Sequence, residues 1–211
     1  MHKFKFFWSI LFYAVFIVGN QTEAATLIEL KLKEGFSISI PSDWEEIPKA
    51  VLDEGERFKR ERMPDVPFTP NAYGFVRKGS ENWFDLPMIT VKIDNNGRIS
   101  ERLLDSSKKV IFKDFENILN KFDEIVKVDR EATKTFFDEK NLTIWIVLKG
   151  VVDGKQIYSI GGMVLTEKGF IQVSCFCLQN EFKKYKSLFT SVVLSITPEP
   201  RLVYRKNSKL D

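Results

Sequence analysis

Residues 142–177 read LTIWIVLKGVVDGKQIYSIGGMVLTEKGFIQVSCFC, and this stretch decides the fold class. Asp153-Gly154 is a two-residue hairpin signal, because tight antiparallel turns need the backbone freedom that Gly supplies. It separates a strand over 142–152 from a second over 155–165. Glu167-Lys168-Gly169 then turns the chain into a third strand over 170–177. In the first strand Leu142, Ile144, Ile146 and Leu148 fall on one side, and Trp145 and Val147 on the other. A sheet that is apolar on both sides has to be covered on both sides.

Cover is legible in both directions along the chain. Toward the C-terminus, Phe182, Tyr185, Phe189, Val192, Val193 and Ile196 mark one face of a closing helix, which Pro198 and Pro200 stop. Residues 198–211 read as a polar tail, mobile on its own. Toward the N-terminus, Asp138-Glu139-Lys140-Asn141 separates the meander from a strand over 125–137. Before that strand, Ser100 is a good N-cap, and Leu104, Ile111, Phe115, Ile118 and Phe122 recur at helical spacing. The spacing predicts a long amphipathic helix over 100–122.

Earlier still, residues 26–32 and 36–40 read as two strands joined at Glu34-Gly35, with Pro41 ending the second. Ser42-Asp43-Trp44 reads as a turn that tucks Trp44 against the sheet. Pro48 opens a short polar helix running to about Arg62. Residues 63–87 are the least regular, punctuated by Pro64, Pro67, Pro70 and Pro87, with a short strand over 73–77. A further strand over 86–94 ends in the turn Asn95-Asn96-Gly97. The reading is an α+β domain over 25–197, an antiparallel sheet with helices on both faces, that is, an α/β/α sandwich.

Residues 1–24 have the order of a cleavable export signal. Lys3 and Lys5 precede an uncharged run over 6–18, and Thr22-Glu23-Ala24 offers small residues at the cut. The run is 13 residues long, against about 20 needed to cross a bilayer, so no stable membrane anchor is expected after cleavage. The expected location is periplasmic or secreted. Without residues 1–24 the 32 basic and 29 acidic side chains become 30 and 28. A net charge of about +2 names no partner, and no nucleic-acid binding is expected. Arg57, Lys59, Arg60 and Arg62 alternate with Glu56 and Glu61, as on a solvated helix face. The single histidine is His2, inside the signal, so the mature chain has no imidazole for a Ser-His or Cys-His pair or for a metal.

The remaining motifs each have a plain structural reading. Cys175 and Cys177 share one face of a strand with Ile171 and Val173. A redox pair or a soft metal site is conceivable chemically, but i and i+2 in a strand lie near the far limit for a disulfide. Buried core thiols are the simpler account. Ser106-Ser107-Lys108-Lys109 matches Ser-x-x-Lys without the companion motifs of acyl-transferring enzymes. Asp94-Asn95-Asn96-Gly97 lacks the spacing and closing Glu of a calcium loop. Asp43, Glu45, Glu46, Asp53, Glu54 and Glu56 read as a solvated acidic surface. Asn141-Leu142-Thr143 is a glycosylation acceptor only in a eukaryotic host, and no phosphate-binding glycine pattern occurs. No catalytic residue, metal ligand or cofactor is assigned.

Gly35-Phe36-Ser37-Ile38-Ser39-Ile40-Pro41-Ser42-Asp43-Trp44 resembles the opening F-x-I-x-[IVL]-P-x-x-W of the PsbP-like superfamily. The element order is similar too: strand pair, long middle helix, antiparallel meander and closing helix, over about residues 27–197. The resemblance implies an α/β/α sandwich and a non-enzymatic accessory or binding role. The motif residues are packing residues, and the Pro-rich insertion at 63–87 departs from the simplest members.

That insertion places Phe68, Tyr73, Trp83 and Phe84 among prolines and glycines. Aromatics on loops are common interface anchors; the alternative is a lid folded back over the core. The expected function is an exported accessory protein that binds an envelope or secreted protein through these four residues. The alternative is a carrier of a small ligand or metal ion in a cleft between sheet and helix.

Overall fold

The computed structural model describes residues 26–62, 64, 69–99, 127–129, 131–152 and 154–205. The meander forms as the turns dictate: β8 (Thr143–Val152), β9 (Lys155–Thr166) and β10 (Gly169–Leu178) pair antiparallel in sequence. Gly154 sits at φ +74, the left-handed backbone that the hairpin requires. Outward from β10 come β5 (Met88–Asp94), β4 (Asn71–Arg77) and β3 (Trp44–Glu46), which completes one edge. Outward from β8 come β6 (Lys127–Val128) and β7 (Lys134–Asp138). A second sheet joins β1 (Leu27–Leu32), β2 (Phe36–Pro41) and β11 (Thr197–Pro198).

Two helices lie on opposite faces of the large sheet. The first, α1 (Lys49–Arg62), packs Leu52 with Ile47 and Val76 on one face. The second, α2 (Phe182–Leu194), buries Tyr185, Phe189, Val192 and Val193 on the other, beside Phe36, Ile38 and Ile40 of β2. This second face is apolar in every row. Ile171, Val173, Cys175 and Cys177 of β10 stand opposite Val164, Gly162, Ile160 and Tyr158 of β9, and Ile93, Val91 and Ile89 of β5 extend the first three rows. Gly162 lets α2 come down onto the sheet, because a Cβ there would lie 2.2 Å from Val193 Cγ1. Each fully buried Val, Ile or Phe contributes roughly 1.5–3 kcal/mol, so this layer is a large source of stability.

The face beneath α1 is organised differently. Ile47, Leu52 and Val76 form one apolar cluster, and Ile144, Leu165 and Tyr204 another. On the strands between them, Thr90 and Lys92 of β5 stand in register with Ser174 and Gln172 of β10.

Several expectations need correction. The strand expected over 125–137 is two short strands, because Asp129 makes a turn: its side chain accepts from Ala132 N–H (3.1 Å) and its carbonyl from Thr133 Oγ1 (2.8 Å). Trp44 is buried as expected, but it opens β3 instead of ending in a turn. The polar tail is anchored as far as residue 204. Leu202 and Tyr204 are buried, Val203 bridges Thr166, and Tyr204 Oη donates to the Ile99 carbonyl at 2.7 Å. Glu56, read as part of a solvated acidic surface, is 5% exposed. At Asp94-Asn95-Asn96-Gly97 the Asp94 carboxylate accepts from Asn96 N–H (2.8 Å), as a strand-ending turn does. The export signal, the helix over 100–122 and Ser106/Lys109 lie outside the described residues.

Candidate functional site

The described end of the Pro-rich insertion, residues 81–87, folds back onto α1. Asp85 closes its tip: Asn82 N–H donates to Asp85 Oδ2 (3.1 Å) and Asp85 N–H to the Asn82 carbonyl (3.2 Å). Trp83 and Phe84 ride on that turn. Trp83 is half-buried against the cluster of Ile47, Leu52 and Val76, with Val51 and Met88 beside it. Phe84 stays 47% exposed and lies across α1 at Gly55, where a Cβ would come within 2.8 Å of its Cζ. One turn along α1, Phe58 is 52% exposed. Along the exposed side of α1 run ion pairs: Arg57 with Glu54 (3.5 Å) and Glu61 (3.9 Å), and Lys49 with Asp53.

Tyr73 belongs elsewhere. It lies on β4 facing the α2 side, against the main core, and its Oη donates to Glu34 Oε2 at 2.5 Å. Burial first, then the Glu34 carboxylate, push its phenol well above the ordinary range. Phe68 lies outside the described residues. The structure therefore brings Trp83 and Phe84 together and puts Tyr73 on the other face. It adds Phe58 and Gly55, which the sequence reading missed. Phe58 follows a charged run and reads as part of a polar helix, so only its neighbourhood in space marks it.

No family model matches the chain, and no curated protein does. Solved structures do. The solution structure of cyanobacterial PsbP (CyanoP) from Synechocystis sp. PCC 6803 aligns with 85% of this chain and 96% of its own, at 11% identity and a TM-score of 0.55. The crystal structure of LpqN, involved in cell envelope biogenesis of Mycobacterium tuberculosis, aligns with 88% and 96%, at 13% identity and a TM-score of 0.41. The chain has a PsbP-like fold. At 11% identity the likeness is one of fold, and it meets the resemblance read from residues 35–44 and from the element order.

Within this PsbP-like domain the motif residues do the packing work that their pattern implies: Phe36, Ile38, Ile40 and Trp44 all lie in the core under α2. Cys175 and Cys177 lie in the same core as free thiols. Burial pushes both thiols up, with Cys177 reaching about 11, so neither is a ready nucleophile or redox group at neutral pH. Among the described residues no three His, Cys, Asp or Glu side chains gather as a metal site would require. No described helix is long and apolar enough to cross a membrane. What the Trp83–Phe84–Phe58 surface can do is exclude water against another apolar surface, beside the charged side of α1.

Proposed function

We propose that this chain is an exported, non-enzymatic accessory protein that engages an envelope or secreted protein through Phe84, Phe58 and the turn that carries Trp83. Export rests on the order of residues 1–24, and the accessory role on the PsbP-like fold with no catalytic constellation assigned. The observation that carries the binding surface is the Phe84 ring, half exposed and packed across Gly55 on the Asn82–Asp85 turn. A half-exposed aromatic with charged neighbours has the anatomy of an interface anchor.

The experiment is site-specific photocrosslinking from position 84 in the native envelope fraction, with mass spectrometry of the adduct. One protein captured repeatedly, and then bound roughly tenfold or more weakly by Phe84→Ala and Phe58→Ala chains that melt normally, supports the reading. Unchanged affinity in both variants overturns it. Trp83→Ala is the poorer test, because Trp83 also packs the cluster of Ile47, Leu52 and Val76.

A further inference from the structure

Beneath α1, two polar groups stand unmatched on facing strand positions. Glu56 reaches in from the helix, and its Oε1 accepts from Asn71 Nδ2 (2.7 Å), Lys59 Nζ (2.9 Å) and, at longer range, Asn71 N–H (3.4 Å). That contact fixes the Asn71 amide: turned round, its oxygen would face the carboxylate. Asn71 is only 5% exposed, and its Oδ1 is buried with no donor to meet it. Directly across the ladder from Asn71 stands Lys92, which also pairs with Gln172 on its other side. Its ammonium makes no hydrogen bond or ion pair among the described residues. Burial pushes its pKa down, and nearby Lys59 adds to the effect while Glu56 opposes it. Glu56 is already bonded to Lys59, so one positive charge is left over in this cluster of described polar side chains.

We propose that Asn71 and Lys92 bind a small organic acid that carries a hydroxyl next to its carboxylate. The carboxylate supplies the counter-charge that Lys92 lacks, and the hydroxyl donates to Asn71 Oδ1. A metal ion is disfavoured, because Lys59 and Lys92 both repel it. A carbon skeleton is favoured over a bare inorganic oxyanion, because Leu52 and Val76 flank the polar strip on one side and Ile146 and Met163 on the other. This site uses none of the residues assigned to the protein interface, so either reading can fail without the other.

The test is calorimetric titration of the full mature chain with racemic lactate, with propionate and inorganic phosphate as comparison probes. The expected result is saturable lactate binding, about tenfold or more tighter than propionate. Propionate leaves Asn71 Oδ1 unpaired, and sites built around a hydroxyl reject analogues lacking it. Binding should vanish in Lys92→Met, whose melting temperature shows that the fold persists. Should that variant not fold, the Lys92 Cε resonance of the unmodified protein decides: its titration midpoint must move up as lactate saturates. Failure of lactate to bind at tens of millimolar, equal binding of lactate and propionate, tighter binding of phosphate, retained binding in Lys92→Met, or an unmoved Lys92 midpoint overturns the proposal.

Discussion

The sheet face under α2 buries Ile171, Val173, Cys175 and Cys177 in one unbroken row, whereas the face under α1 interrupts its apolar cover with Thr90, Lys92, Gln172 and Ser174. The same strands supply both faces, so the difference lies in alternate residues and not in backbone pairing. On the α2 side every position serves packing, and substitution there should be felt as lost stability. On the α1 side a desolvated lysine and an unpaired amide oxygen weaken the domain. A fold that holds such groups carries them against its own stability, as binding sites commonly do.

The largest expected effect tests the packing side. Phe189→Ala empties a fully buried ring site and should lower the unfolding free energy by about 4 kcal/mol, read by denaturant melts. A loss under about 1 kcal/mol would mean that α2 is not the main cover. Gly162→Ala comes next. Its new methyl would meet Val193, and overpacking of this kind should cost about 2 kcal/mol by the same measurement.

Lys92→Met sharpens the contrast by reversing the sign, with an expected gain of about 1 kcal/mol at pH 7. The pH dependence checks the cause. Because the folded-state pKa of Lys92 lies below the ordinary 10.5, the ammonium destabilises the fold throughout the range below that depressed value. The penalty disappears as pH rises to 10.5, so wild type and variant should converge there. Phe84→Ala is the smallest in stability, within about 0.5 kcal/mol, and should act on partner binding alone. A large destabilisation would recast Phe84 as a lid over α1.

How far the sequence could be read follows from how far each signal reaches. The meander was legible because Asp153-Gly154 and Lys168-Gly169 are local turn chemistry and the alternation around them is strong. Helices α1 and α2 were legible from Pro48 and from the spacing of Tyr185, Phe189 and Val192. The break at Asp129 was missed because a single Asx turn hardly disturbs the alternation. Trp83 and Phe84 were picked out by composition, but grouping them with Tyr73 required knowing which face of β4 each meets. The polar strip could not be read at all. Glu56, Asn71 and Lys92 sit on three separate elements, each is an ordinary surface residue type, and only strand register puts Asn71 across from Lys92.

The short strand β11 has a consequence for the order in which the molecule can be made. Thr197 and Pro198 pair with Ser37 and Phe36, and Ser39 N–H donates to Ser195 Oγ across 156 positions of sequence. A chain that emerges from a channel N-terminus first presents β1 and β2 at the start, with Ile38 and Ile40 having nothing to face. Their cover, α2 and β11, arrives almost last. Contacts so distant along the chain close slowly, and until they do the early hairpin is an apolar surface that a holding chaperone would recognise. Of the described strands, the first to appear are therefore among the last to become native.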